Sequence, residues 1–187
     1  ITAQNGDFNK WDKAIGYSMR IPLGVCAGIG AWNYPMQIAC WKSAPALAAG
    51  NSFILKPSEE TPLVAQKVAE LLQTAGLPDG LFQIIHGDRD IGAAICAHPG
   101  IAKISLTGGV ETGRLIMAQS AHSLKKITLE LGGKSPLLVF DDCDFNLGVQ
   151  TALDANFYTA GEVCSNATRV FVQRSIADDF IAALIAK

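Results

Sequence analysis

The stretch Leu23-Gly24-Val25-Cys26-Ala27-Gly28-Ile29-Gly30-Ala31-Trp32-Asn33-Tyr34-Pro35 decides the fold. Its first half is apolar without polar alternation, the pattern of a strand buried on both faces. A glycine-bearing turn follows, and Pro35 then opens an Ala-rich helix predicted over residues 36–49. Proline suits the first turn of a helix, and Gly50-Asn51 suits its end. Strand, tight turn and helix at this spacing form the first unit of a parallel α/β sheet.

The alternation continues outward. Ser52-Phe53-Ile54-Leu55 reads as a second strand running into Lys56-Pro57-Ser58-Glu59, and Thr61-Pro62 opens a second helix, stopped by Gly76 and Pro78. Further strands are predicted at 82–85, 102–106, 127–129, 136–140 and 169–173. Helices are predicted at 91–97, after the glycine-rich segment 107–113, at 146–157 and at the end of the sequence. Residues 1–20 read as a polar lead-in. The expected class is α/β, a Rossmann-like doubly wound parallel sheet with helices on both faces. Ligands of such sheets bind outside the carboxyl ends of the strands. Asn33, the Lys56–Glu59 segment, the glycine-rich 107–113 and the loop from Glu130 to Lys134 all fall at such ends, which predicts a nucleotide site.

Composition narrows the function further. Hydrophobic residues make up 49% and charged ones 17% of the 187 residues, as in a folded globular chain. The net charge of −2 without a basic block argues against a nucleic-acid partner. Residues 21–41 carry no charge, yet Pro22, Asn33, Pro35, Gln37 and three glycines argue against a membrane span. Five cysteines with no Cys-x-x-Cys pair argue against a disulfide framework or a structural zinc, so a reducing, cytoplasmic setting is expected. Cys143 stands among Asp141, Asp142 and Asp144, which are read as helix-capping rather than metal-binding. The polar start, with neither an initiator methionine nor a signal-peptide core, suggests a piece of a longer protein.

Several segments carry candidate chemistry. Gly28-x-Gly30-x-x-Asn33 is a dinucleotide fingerprint with Asn in the place of the third glycine, or simply a tight strand–helix turn. Gly108-x-x-x-x-Gly113 imitates a phosphate loop, but Arg114-Leu115 replaces the Lys-Ser/Thr of a phosphotransferase. As a helix N-terminus it still suits a pyrophosphate. Lys56 and Glu59 could hold a ribose or be a solvated strand exit. In Gly161-Glu162-Val163-Cys164-Ser165-Asn166 the cysteine lies outside any apolar face, so a reactive thiol competes with an ordinary packed one. Glu130 opens the loop after the strand predicted at 127–129, with Gly132-Gly133 close behind it. There is neither a Gly-x-Ser-x-Gly elbow nor a His-Glu-x-x-His, so a histidine-based hydrolase finds no support.

Trp32-Asn33-Tyr34-Pro35, Lys56-Pro57-Ser58-Glu59, Leu129-Glu130-Leu131-Gly132-Gly133-Lys134 and Gly161-Glu162-Val163-Cys164 occur in this order, and with them the chain resembles the aldehyde dehydrogenases from about Tyr17 onward. The segments 29–35 and 41–51 most resemble the betaine-aldehyde branch. The resemblance implies that Cys164 is the nucleophile, that Asn33 and the Cys164 N–H hold the oxyanion, and that Glu130 activates water. It assigns Lys42 a charge-relay role, against the alternative of a solvated helix lysine. It also implies NAD in preference to NADP. Lys56 and Glu59 would contact the adenosine ribose, and Gly30, Ala31, Trp32, Ser58, Gly109, Val110, Glu111, Thr112 and Leu131 the remainder of the cofactor. Potassium held by main-chain carbonyls would fall near Glu60 and Leu124.

The expected partner is a small aldehyde, and the full-length protein is expected to be a dimer or tetramer of one chain. The expected organisation is a lead-in at 1–20, a dinucleotide domain at 21–157 and the start of the catalytic domain at 158–187. Two positions depart from the family pattern: Glu162 replaces a usual Gln, and Ala167 a usual Gly. A carboxylate so close to Cys164 would disfavour its thiolate. A truncated nucleotide-binding module without turnover is the alternative, and a CoA-acylating relative would share Cys164 without needing Glu130 as a base.

Overall fold

The computed structural model describes residues 6–187. Its elements are β1 (Phe8–Trp11), β2 (Ala14–Tyr17), β3 (Val25–Ile29), α1 (Pro35–Ala48), β4 (Ser52–Lys56), α2 (Pro62–Thr74), β5 (Phe82–Ile84), α3 (Arg89–Ala97), β6 (Ile101–Gly108), α4 (Val110–Ala121), β7 (Lys126–Leu131), β8 (Pro136–Val139), α5 (Phe145–Phe157), β9 (Arg169–Val172) and α6 (Ala177–Ile185). They fall into two compact units, one ending at Glu130 and the other running from Leu131 to Lys187. This division precedes the functional boundary expected at 157/158. The reason is that β8, α5, β9 and α6 share a core of their own.

In the first unit a five-stranded parallel sheet has the order β5-β4-β3-β6-β7. The α/β class expected from the sequence is therefore what the chain adopts. The chain winds from β3 outward to β5, then returns to the other side of β3. That reversal leaves a crevice between the carboxyl ends of β3 and β6, the switch point at which open sheets bind ligands. The β3–β6 register sets Cys26 beside Lys103 and Gly28 beside Ser105.

Helices α1 and α2 cover one face of β3–β5, enclosing Cys26, Ala39, Phe53, Leu55, Ala65 and Val68. The Phe53 and Phe82 rings stack there with centroids 6.2 Å apart. Asn51, buried just after α1, accepts from the N–H groups of Leu23 (2.6 Å) and Gly24 (3.1 Å) and donates to Ala46 O (3.0 Å). It therefore fixes where β3 begins.

Two elements differ from the sequence reading. The lead-in contains the antiparallel hairpin β1–β2, with Phe8 opposite Tyr17 and Trp11 opposite Ala14. Strand β7 runs to Leu131, so Glu130 is a strand residue, not the first residue of a loop. Its alternating exposure reflects a polar, partly open face carrying Lys126, Thr128 and Glu130.

In the second unit β8 and β9 pair in parallel, and Phe180 is fully buried against Phe145, ring edge to face at 5.9 Å. Asp144 caps α5 by accepting from Leu147 N, as the acidic cluster around Cys143 suggested.

Candidate functional site

At the switch point lies a cavity of about 580 Å³. Gly30, Ala31 and Trp32 after β3, Lys56, Ser58 and Glu59 after β4, and Gly109, Glu111 and Thr112 at the start of α4 all line it. Nine residues named from the sequence are thus brought together. Val110 is not among the lining residues and is exposed, and Leu131 belongs to the second unit.

Lys56 and Ser58 are buried, while the Glu59 side chain is largely exposed. Lys56 Nζ donates to Pro57 O (3.2 Å) and Glu59 Oε2 (3.3 Å). A hydrogen bond from its own backbone N–H, followed by the one from Lys56, holds the Glu59 carboxyl below its ordinary range. It therefore stands ready to accept from hydroxyls. Gly109 is the N-cap of α4 and no side chain caps that end, so the first N–H groups of the helix are left for an anion. A side chain at Gly109 would meet nothing within 4 Å, which leaves room for a ligand group. The Thr107 hydroxyl is buried without a hydrogen-bond partner. A carboxylate for hydroxyls, a helix N-terminus for phosphate and an orphaned donor in one crevice fit a dinucleotide.

Other lining residues were not named from the sequence: Asp88, Arg89, Gly92, Ala93 and Cys96 of the α3 region, and Leu106, Leu115, Ile116 and Gln119. The small residues Gly92, Ala93 and Cys96 lie along one face of α3 and make a flat apolar wall. Their helical spacing was the available signal, but small residues carry no chemical signature.

On the α1 side of the sheet, Lys42 is buried and donates to Ser105 Oγ at 2.9 Å. It is therefore not the solvated helix lysine of the alternative reading. Burial lowers its pKa to about 8, with Glu130 pulling it back up and Lys103 adding to the depression. Lys42 and Glu130 are thus within electrostatic reach. Asn33 is half-buried in the bend between β3 and α1.

Cys164 lies in the second unit, exposed in a turn between α5 and β9. Asn166 N donates to Val163 O (3.2 Å) to close that turn, and Asn166 Nδ2 donates to Asn156 O (3.1 Å) at the end of α5. Ala167 N donates to Ala155 O. Thr159 and Ala160, just upstream, hold φ of 51° and 53°, a strained left-handed conformation for residues with side chains. A Cβ on Gly133 would lie 3.5 Å from Cys164 O, so the Leu131-Gly132-Gly133-Lys134 loop passes beside the cysteine. This is an accessible thiol on a loop held by its neighbours, and not a packed hydrophobe.

Glu60 follows β4 at the carboxyl edge of the sheet, while Leu124 precedes β7 at the amino edge. Among the described residues no group of three or more His, Cys, Asp or Glu gathers to hold a metal, and no helix is long and apolar enough to cross a membrane.

The aldehyde dehydrogenase family model matches residues 2–187. A betaine aldehyde dehydrogenase of Sinorhizobium fredii (strain NBRC 101917 / NGR234) is 59% identical over 182 residues, which are 97% of this chain and 37% of that protein. One from Rhizobium etli (strain CIAT 652) is 58% identical over 98% of this chain and 38% of its own length. The chain therefore spans under two-fifths of these relatives. The solved structure of betaine aldehyde dehydrogenase from Staphylococcus aureus in complex with NAD+ superposes with a TM-score of 0.94 at 42% identity, over 97% of this chain and 37% of that one. An NADP-dependent enzyme of E. coli superposes with a TM-score of 0.93 at 39% identity, over 98% and 39%.

Proposed function

The chain belongs to the aldehyde dehydrogenase family, and from that premise we propose that it is the dinucleotide-binding core and nucleophile segment of an enzyme that oxidises an aldehyde to its carboxylic acid. Betaine aldehyde, or a related aminoaldehyde, is the proposed substrate, by analogy with the named relatives. The observation that carries the reading is the crevice at the switch point, with Lys56, Glu59 and the uncapped α4 N-terminus on its walls.

In this reading the Cys164 thiolate adds to the aldehyde carbon, forming a C–S bond and an oxyanion. The Asn33 amide and the Cys164 N–H donate to that oxygen. NAD, when bound, supplies the acceptor for the hydride lost as the thiohemiacetal becomes a thioester. Glu130 then takes a proton from water, the resulting hydroxide adds to the thioester carbon, and the C–S bond breaks to return the Cys164 thiolate and release the acid. Lys42, near Glu130 and buried, carries charge or proton between the base and its surroundings.

Glu59 and Lys56 hold the adenosine ribose, Gly109 to Thr112 the pyrophosphate, and Gly30, Ala31, Trp32 and Ser58 the rest of the cofactor. In functional terms the dinucleotide domain covers 21–157 and the nucleophile segment 158–187. Initial rates of cofactor reduction by the complete protein with betaine aldehyde and with simple aldehydes test the reading. Absence of any Cys164-dependent reduction across that panel refutes it.

A further inference from the structure

Gly28 looks like the first glycine of a phosphate-binding fingerprint, yet the structure gives its bare backbone a different neighbour. A Cβ there would stand 2.7 Å from Phe53 Cζ and 3.2 Å from Lys42 Cδ. The first distance is closer than side-chain carbons tolerate, and the second lies across the aliphatic stem of Lys42. Gly28 is not among the residues lining the dinucleotide crevice. Its direct partner in the parallel register is Ser105 on β6, whose hydroxyl accepts from Lys42 Nζ at 2.9 Å. The lysine thus leaves α1, crosses β3 where that strand has no side chain, and ends on β6.

On the same face Lys103 Nζ donates to Thr128 Oγ1 at 2.8 Å, which fixes how β6 and β7 align there. Thr128 and Glu130 alternate on β7 and so share that face. Any other residue at 28 would push the lysine stem aside, and any residue at 105 without a hydroxyl would leave its ammonium unheld. We propose that Gly28 and Ser105 are positioning residues for Lys42: Gly28 clears the path of its stem, and Ser105 anchors its ammonium on the side of the sheet where Glu130 stands.

This rests on the reading of Glu130 as the water-activating base, and the test keeps the two separable. The charged or titratable groups facing Lys42 are Glu130 on β7, Lys103 on β6, Lys126 on β7 and the Cys26 thiol on β3. The titration of Lys42 is to be followed in the complete protein by NMR of ¹³Cε-labelled lysine, with the signal assigned through Lys42→Arg. In Ser105→Ala the ammonium loses an acceptor, so its titration midpoint falls by roughly 0.7 pH unit, the equivalent of one ordinary hydrogen bond. Ser105→Thr keeps the hydroxyl and restores the midpoint. Gly28→Ala moves it in the same direction as Ser105→Ala.

The pH profile of steady-state turnover moves with the midpoint in each variant, while KM for NAD stays within about twofold. A Lys42 midpoint unchanged in Ser105→Ala overturns the proposal, even if Gly28→Ala fails to fold. A raised KM for NAD in Gly28→Ala with Lys42 unmoved also overturns it, since Gly28 would then serve the cofactor. Midpoints that move as expected in a protein that oxidises no aldehyde uphold the positioning and refute only the catalytic reading.

Discussion

The buried ammonium of Lys56 stands 3.3 Å from Oε2 of the exposed Glu59 carboxylate at the mouth of the dinucleotide crevice. Glu59 is held below its ordinary carboxyl range, first by its own backbone N–H and then by Lys56, so it is ionised at neutral pH. It suits two ribose hydroxyls and repels a 2′-phosphate, and Asp88 adds a second negative charge nearby. The expected result is a higher kcat/KM with NAD than with NADP. Glu59→Gln should narrow the gap by about fivefold, as expected for about 1 kcal/mol of screened repulsion. Equal or better turnover with NADP by the unaltered enzyme refutes this.

Cys164→Ala should abolish aldehyde oxidation, a loss on the order of a thousandfold or more. Dinucleotide affinity should persist, because every residue that lines the crevice lies in the first unit. Isothermal titration with NAD and steady-state rates on the same preparation check both halves. Substantial steady-state activity in that variant removes Cys164 from the mechanism.

Glu130→Gln separates the two half-reactions. A rapid burst of reduced cofactor should survive, because thiohemiacetal formation does not require the base, while steady-state release of acid slows by roughly a hundredfold or more. Stopped-flow absorbance distinguishes the phases. Disappearance of the burst would place Glu130 in the first half-reaction.

The sheet was legible because its strands are short apolar runs and the helices between them are closed by Gly50, Gly76 and Pro78, signals that survive without any tertiary information. The hairpin β1–β2 was not. All of its large apolar side chains, Phe8, Trp11, Ile15 and Tyr17, are exposed, and no alternation between a buried and a solvent face marks it. The end of β7 was placed two residues too early, at Leu129 instead of Leu131, because Gly132-Gly133 drew the loop boundary toward it. The places of Lys56 and Glu59 in the crevice and the exposure of Cys164 were legible, because each stands in a polar or glycine-bearing segment outside any apolar face. The bond from Lys42 to Ser105 spans 63 residues and depends on which strand lies beside β3, so no local pattern could announce it. The role of Gly28 stayed open between fingerprint and plain turn for the same reason: the neighbours of its backbone, Phe53 and Lys42, are distant in sequence.

Glu162 is an exposed carboxylate two residues before Cys164. Replacing it with the Gln usual in the family removes a like charge from the neighbourhood of the thiolate. Alkylation of Cys164 in Glu162→Gln, measured as a second-order rate at fixed pH, should rise about two- to fivefold, as expected for a solvent-screened charge. A rate that is unchanged or lower means that Glu162 does not act on the thiol.

The position of the Cys164 turn depends on the core of the second unit. Its last anchor points are Asn156 O and Ala155 O at the end of α5, reached by Asn166 Nδ2 and Ala167 N. Helix α5 in turn packs through Val149 and Ala152 into the cluster that contains Phe180, which is completely buried. Phe180→Ala should therefore destabilise this unit by about 3–5 kcal/mol, the usual effect of deleting a buried aromatic ring. The loss should appear as faster hydrogen exchange in α5, β9 and α6 and as a looser, more rapidly alkylated Cys164 turn. Exchange in β3, β4 and β5 and affinity for NAD should change little, because those elements have a core of their own. Phe180→Leu, which keeps most of the volume, should recover the greater part of the loss. If Phe180→Ala leaves exchange around Cys164 untouched, the turn is held by its local hydrogen bonds alone and the packing of α5 does not govern the nucleophile.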